Sequence, residues 1–179
     1  VLAAPSEDTA AVKMSLSPDA SAITFMSWDT EGGDRLQRNL LRSDAPFRAE
    51  IRVDESWQEA PAAVRLQYAE TNGGFDLTVT PSPASPPESS ALRLLLSFDP
   101  GVTPTTILPN EFGEGGALLF PVIVSAPDFG QMLVRPVGID NAASYLTGSR
   151  EKKTLEWTIE IPWRPENGSA AFEFRAVRL

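Results

Sequence analysis

Two glutamates on one predicted strand have the residue type and spacing that could do chemistry. Glu156 and Glu160 lie four residues apart in the segment 154–163, in which apolar and polar residues alternate. Because successive side chains of a strand point to opposite faces, both carboxylates leave the same face. Glycoside hydrolysis uses two carboxyl groups about 5 to 9 Å apart. The pair therefore indicates a glycosidase or lyase site or, as the alternative, a solvated outer strand face.

Residue composition and one substitution argue against catalysis by this chain alone. The segment is similar to the Glu-x-Asp-x-Glu strand of some β-sandwich glucanases, but Thr158 occupies the central position. The chain also contains no histidine and no cysteine. Catalysis by Ser-His-Asp or Cys-His groups and zinc sites built from His or Cys are thereby excluded within it. We expect the isolated chain to be non-catalytic.

Two tryptophans are the candidates for contact with a ligand. Trp28 and Trp57 fall outside the cleanest alternating runs and lie beside acidic residues. Since the apolar face of a sugar stacks on an aromatic ring, an exposed tryptophan beside hydrogen-bonding groups indicates a glycan site; packing in the core is the alternative. Loops over 109–116 and 126–130 are predicted to supply the polar partners, which are Asn110, Glu111 and Asp128.

Oxygen-bearing loop residues raise the question of a metal. The segment 110–114, Asp128 and the pair Asp140 and Asn141 offer ligands of the kind that calcium prefers. No compact Asp-x-Asp-x-Asp-Gly spacing accompanies them, and turn formation explains such residues equally well. We expect no cofactor, with calcium as the alternative.

The elements that must position these residues are strands. Period-two alternation recurs along most of the chain, which predicts an antiparallel β-sandwich of about ten strands. Residues 12–28 predict a first hairpin, Asn72–Gly74 a tight turn, and residues 155–176 a closing hairpin turned at 165–168. Residues 34–42 interrupt the alternation and predict at most one short helix.

The domain organisation depends on one segment rich in proline and serine. A chain of 179 residues suits one domain. Residues 81–90 could be a linker between two small domains, but each half would have a thin core. We therefore expect a single domain over 1–179 with a long exposed loop at 81–90.

Charge and hydropathy restrict the partners and the compartment. The net charge of −9 opposes binding to nucleic acid. No run approaches the roughly 18 apolar residues of a membrane-spanning helix. The small residues at 1–5 could follow a processed signal peptide, so we expect a secreted or periplasmic protein.

One long segment resembles a part of known carbohydrate-active enzymes. Three stretches carry the resemblance: Leu-Arg-Leu-Leu-Leu-Ser-Phe-Asp-Pro-Gly from residue 92, Thr-Thr-Ile-Leu-Pro-Asn-Glu-Phe from residue 105, and Phe-Pro-Val-Ile-Val-Ser-Ala-Pro-Asp-Phe-Gly-Gln-Met-Leu-Val from residue 120. They resemble the N-terminal β-sandwich region that precedes an (α/α) barrel in large bacterial glycoside hydrolases. In that family the barrel carries the catalytic acids, and the sandwich packs against it.

A second resemblance involves two shorter stretches. Glu-Trp-Thr-Ile-Glu-Ile-Pro-Trp at 156–163 is similar to a late strand of family 9-type carbohydrate-binding modules. Trp-Gln-Glu-Ala-Pro at 57–61 is similar to their early tryptophan segment. Both resemblances imply a non-catalytic, carbohydrate-associated domain of a bacterial glycoside hydrolase system, whose partner is a carbohydrate or an adjoining catalytic domain. The alternatives are the paired-glutamate enzyme and a structural or adhesion module without a sugar ligand.

Overall fold

The computed structural model describes residues 11–30, 34–71, 73–82, 88–99, 106–126, 128–149, 154–163 and 168–177. Within these ranges the only helical segments are 3-10 turns at Asp34–Gln37 and Glu114–Gly116, and no helix is long and apolar enough to cross a membrane. The same ranges contain thirteen strands: β1 (Ala11–Leu16), β2 (Ile23–Asp29), β3 (Phe47–Val53), β4 (Ser56–Glu59), β5 (Val64–Thr71), β6 (Gly74–Pro81), β7 (Ala91–Phe98), β8 (Thr106–Phe112), β9 (Leu118–Ala126), β10 (Gly130–Val137), β11 (Ala143–Ser149), β12 (Thr154–Pro162) and β13 (Ala170–Val177). The all-β prediction is confirmed.

The alternation of side chains decides which face of each strand enters the core. In β7, Leu92, Leu94 and Leu96 are buried on the inner face. Leu95 points to the opposite face, yet only 5% of its surface is exposed. Strand β7 is therefore covered on both faces at this position, as is typical of a central strand.

One curled antiparallel sheet forms most of the molecule. Its strand order is β4-β3-β7-β12-β11-β9-β10-β13-β6-β5, and β8 pairs with β9 outside this path. Strand β9 joins the two halves, because Leu118 and Leu119 pair with β11 whereas Val122–Ala126 pair with β10. We call β4-β3-β7-β12-β11 the first half of the sheet and β10-β13-β6-β5 the second half. Their inner faces contribute to one hydrophobic cluster.

Strands from both sides of the segment rich in proline and serine contribute to this sheet. Strand β6 precedes the segment and β13 follows it, and the two strands pair over 74–79 and 170–175. The stacked rings of Phe75 and Phe174, with centroids 4.6 Å apart, join the same two strands inside the core. Residues 83–87 of the predicted loop lie outside the described residues.

The predicted first hairpin, β1–β2, is present and is tied to the sheet at both ends. At its turn, the Leu66 N–H of β5 donates to the Ala20 carbonyl at 2.7 Å. At its far end, the Thr30 N–H donates to the Phe129 carbonyl, in the β9–β10 turn, at 3.1 Å. The hairpin thus packs against the second half of the sheet, and its inward side chains join the core.

Two sequence predictions about strand placement are wrong. The closing hairpin does not form, because β12 pairs with β7 and β11 whereas β13 pairs with β10 and β6. A turn signal predicts that the chain reverses direction. It does not tell whether the two strands that flank the turn pair with each other or lie on opposite sides of the core. The loop predicted from residue 109 is instead the end of β8. Pro109 is tolerated there because β8 is an edge strand with a register shift beside it.

Candidate functional site

The outward side chains of β4, β3, β7 and β12 form a face rich in arginine, glutamate and one tryptophan. We call it the Trp57 face. Its members leave the sheet opposite to the buried positions of the same strands, so the local alternation of each strand fixes their direction. They are Arg48, Glu50 and Arg52 on β3, Trp57 and Glu59 on β4, Arg93 on β7, and Glu156 and Glu160 on β12.

Trp57 is the aromatic centre of this face. Its side chain is partly exposed on the edge strand β4. The Arg93 guanidinium carbon lies 3.8 Å from the centroid of the Trp57 ring, which is a close cation–π contact. Arg93 also donates from Nε to Glu160 Oε2 at 2.9 Å. One face of the indole is thereby occupied by a guanidinium that is itself held in place.

Glu156, four residues before Glu160 on β12, is also paired with an arginine. The Arg48 Nη2 group donates to its Oε2 at 3.1 Å and to its Oε1 at 3.3 Å. The Ser97 hydroxyl approaches Glu156 Oε2 at 3.4 Å, and Arg48 Nη1 lies 3.6 Å from Glu50 Oε2. Each glutamate of the predicted pair therefore has its own arginine: Arg93 comes from the adjacent strand β7, and Arg48 comes from β3, one strand further away.

This arrangement does not favour a two-carboxylate active site. At roughly 3.3 Å per residue, positions 156 and 160 of an extended strand lie about 13 Å apart, beyond the spacing that either type of glycosidase uses. Each carboxylate also forms an ion pair with an arginine of another strand. The two glutamates act here as anchors for Arg48 and Arg93.

Arg52 lies directly across from Trp57 in the β3–β4 pair. Its side chain is partly buried, and it forms no ion pair with a carboxylate of the described residues. It differs in this respect from Arg48 and Arg93 on the same face. Arg52 thus places a guanidinium with free donors beside the tryptophan.

Trp28 is a core residue, so the expectation that it offers an exposed platform is wrong. Its side chain is 0% exposed, and its Nε1 donates to the Gly130 carbonyl at 2.9 Å. In β2 the residues from Met26 to Asp29 are buried on both faces, which hides the alternation that marks a strand. The hydrogen bond explains how an indole N–H is tolerated there.

The three predicted polar partners are not brought together with Trp57. Asn110 and Glu111 lie on β8, where Glu111 is exposed and pairs with Leu119 at the start of β9. Asp128 follows the other end of β9 and is exposed in the β9–β10 turn with a φ of 71°. At roughly 3.3 Å per residue, the length of β9 separates Glu111 from Asp128 by about 23 Å. Trp57 lies at the far edge of the first half.

Acidic groups within the described ranges do not converge on a metal position. No group of three or more His, Cys, Asp or Glu residues there has the proximity to hold an ion. Asp140 and Asn141 lie in the β10–β11 connection, where the φ of 62° at Asn141 fits a turn role.

The arginines of the Trp57 face are the functional candidates that the sequence interpretation missed. A usable signal was present, since Arg48 and Arg52 alternate with Ala49 and Ile51, and Arg93 stands between two leucines. Period two therefore directs all three outward. Local alternation does not predict the glutamate partners of these arginines. Arg48 and Glu156, for example, are 108 residues apart and meet only because β3, β7 and β12 pair in the sheet.

Comparison with known proteins does not assign the chain to a family. No family model, curated protein or solved structure matches the chain.

Proposed function

We propose that this chain is a non-catalytic, carbohydrate-associated β-sandwich domain that binds glycan on the Trp57 face, as the accessory part of a secreted or periplasmic bacterial glycoside hydrolase system. The observation that carries the proposal is the contact between Trp57 and Arg93, at 3.8 Å, on an outward sheet face. The sequence resemblances to carbohydrate-active proteins supply the ligand class.

A glycan needs both an apolar contact and directed hydrogen bonds. The partly exposed indole of Trp57 provides an apolar edge and surface against which the C–H groups of a pyranose can pack. Two arginines near the ring, Arg52 on the paired strand β3 and Arg93 against the indole, can donate hydrogen bonds to ring oxygens and hydroxyls. Because Glu160 and the indole already hold Arg93, less side-chain freedom is lost when a ligand binds.

The same contacts support a binding role over a catalytic one. Glu156 and Glu160 are each engaged by an arginine, and their main-chain positions on β12 lie about 13 Å apart, a wider spacing than the carboxyl groups of glycosidases have. The proposed role is therefore recognition, with any bond cleavage done elsewhere.

The test is a glycan-binding measurement on the 179-residue chain and on Trp57→Ala. We expect weak binding to at least one polysaccharide, on the order of 0.1 to 1 mM, and its loss in Trp57→Ala. Tyr68→Ala is the matched control, since Tyr68 is an exposed aromatic on β5, at the opposite edge of the sheet. Binding that survives Trp57→Ala, or no binding across neutral and acidic polysaccharides, would refute the proposal.

A second measurement separates binding from catalysis. Incubation of the chain with the same polysaccharides should generate no new reducing ends. Turnover that disappears in Glu156→Gln and in Glu160→Gln would instead establish the paired-glutamate enzyme.

A further inference from the structure

The charges on the Trp57 face leave one arginine without a partner. Arg48 is paired with Glu156, and Arg93 with Glu160. Arg52 lies across from Trp57, and no carboxylate of the described residues forms an ion pair with it. A partly buried guanidinium that forms no ion pair can bind an anionic group, because its planar donors match a carboxylate in two parallel hydrogen bonds.

Arg93 offers free donors toward the same area. Its hydrogen bond to Glu160 uses Nε, and no described residue accepts a hydrogen bond from its two Nη groups. In the sheet register, Arg52 pairs with Ala91 and Glu50 pairs with Arg93. Arg52 and Arg93 are therefore diagonal neighbours on adjacent strands, with Cβ atoms roughly 7–8 Å apart. A single carboxylate can bridge guanidinium groups at that spacing.

From this juxtaposition we propose that the Trp57 face selects sugars that carry a carboxylate, namely hexuronate units, with the carboxylate bound by Arg52 and Arg93 and the pyranose ring packed on Trp57. The inference rests on the proposed function and adds the ligand class to it.

The net charge of the protein adds a further expectation. At −9, the molecule repels a long polyanion, and this repulsion falls as salt is added. Only one or two carboxylates of a chain can reach the two arginines, whereas every other carboxylate contributes repulsion. A short oligouronate is therefore the suitable probe, and it should bind at least as tightly per chain end as a long polyuronate at low salt.

The experiment is a calorimetric or NMR titration of the 179-residue chain with tri-galacturonate and with the same trimer as its methyl ester. Esterification removes the charge and leaves the ring stacking nearly unchanged. We expect the acid to bind at least about tenfold more tightly than the ester, since charge-assisted hydrogen bonds are roughly twice as strong as neutral ones.

Arg52→Gln should abolish this preference for the acid. Arg52→Lys should keep part of the preference, because lysine retains the positive charge but cannot donate the two parallel hydrogen bonds of a guanidinium.

Arg65→Gln is the matched control. Arg65 is an exposed arginine on β5, at the opposite edge of the sheet from Arg52. It should leave the preference for the acid intact. A melting temperature equal to that of the unmodified chain will show that each variant is folded.

The outcomes separate the two proposals. Equal binding of acid and ester, a preference unchanged in Arg52→Gln, or tighter binding of a sulfated trimer than of the uronate overturns the assignment of a carboxylate ligand. If both trimers bind and Trp57→Ala abolishes both, the glycan-binding function still stands. Binding of neither trimer refutes the uronate inference, while the wider polysaccharide measurement decides the proposed function separately.

Discussion

The guanidinium of Arg93 lies over the ring of Trp57, with 3.8 Å between the guanidinium carbon and the ring centroid. This contact reaches across β3, which lies between β4 and β7 in the sheet. Because Arg93 also donates to Glu160 on β12, three side chains from three strands form one connected group on the outward face. The short edge strand β4 is thereby linked to the centre of the first half by side chains as well as by its backbone hydrogen bonds to β3.

The Arg93–Glu160 pair should contribute little to stability. Its side chains are 30% and 26% exposed, so solvent screens the attraction. A double-mutant cycle with Arg93→Ala and Glu160→Ala is expected to give a coupling free energy of about 1 kcal/mol or less. The measurement is denaturant unfolding of the two single variants and the double variant. A coupling of several kcal/mol would mean that the pair behaves as a buried ion pair.

Trp28 and Trp57 should respond very differently to truncation. Trp28→Ala removes a fully buried side chain and its hydrogen bond to the Gly130 carbonyl, so we expect a loss of about 3–5 kcal/mol in the free energy of unfolding. Trp57→Ala removes a partly exposed ring and one cation–π contact, for which about 1–2 kcal/mol is expected. Urea unfolding of both variants tests the order. A larger loss for Trp57 than for Trp28 would contradict the burial assigned to the two rings.

Gly74 and Gly73 form a second matched pair of positions. A Cβ on Gly74 would collide with the main-chain oxygen of Phe174 on the paired strand β13, and backbone cannot move away cheaply. Gly74→Ala should therefore cost about 3 kcal/mol or more. At Gly73 a Cβ has open space, and only the φ of 76° opposes it, for a cost of about 1–2 kcal/mol. Equal losses of unfolding free energy would show that strands β6 and β13 can separate locally.

Strands with one buried face were predictable from the sequence, because burial on one side leaves a period of two. Strands β3 and β12 show this pattern, and so does β7, in which Leu92, Leu94 and Leu96 face the core. Strand β2 hides the pattern, since Ser27 and Asp29 are as buried as Met26 and Trp28. That mixed burial is why Trp28 was assigned to a ligand site.

Pairing across the sheet was the part that local patterns could not specify. The sequence places Glu156 and Glu160 on one face, but their arginine partners depend on which strands lie beside β12. In the same way, nothing within residues 106–112 indicates that they form an edge strand paired with β9. Long-range register is set by the packing of the whole core. The sequence therefore predicts which side chains of a strand share a face, but it does not predict which side chains of different strands contact each other.

The β1–β2 turn supplies a prediction about acid. Asp19 Oδ1 accepts hydrogen bonds from the Ser17 hydroxyl at 2.7 Å, the Ser21 hydroxyl at 2.8 Å and the Ser21 N–H at 3.2 Å. These bonds, with that from Ser17 first, lower the pKa of Asp19 from 3.8 to about 2. Since the folded pKa lies below the unfolded one, the stabilisation is fully present well above pH 3.8 and is lost as the pH falls through about 2.

An NMR titration of the Asp19 carboxyl carbon tests this directly. We expect a midpoint near pH 2 in the unmodified chain. Ser17→Ala should move the midpoint upward by more than Ser21→Ala does, because the Ser17 hydroxyl makes the largest contribution and Ser21→Ala retains the backbone donor. Asp19→Asn should reduce the difference between the melting temperatures at pH 7 and pH 2, since it removes the group whose ionisation favours the folded turn. A midpoint near 3.8 that neither serine variant shifts would mean that the turn does not hold the carboxylate in solution.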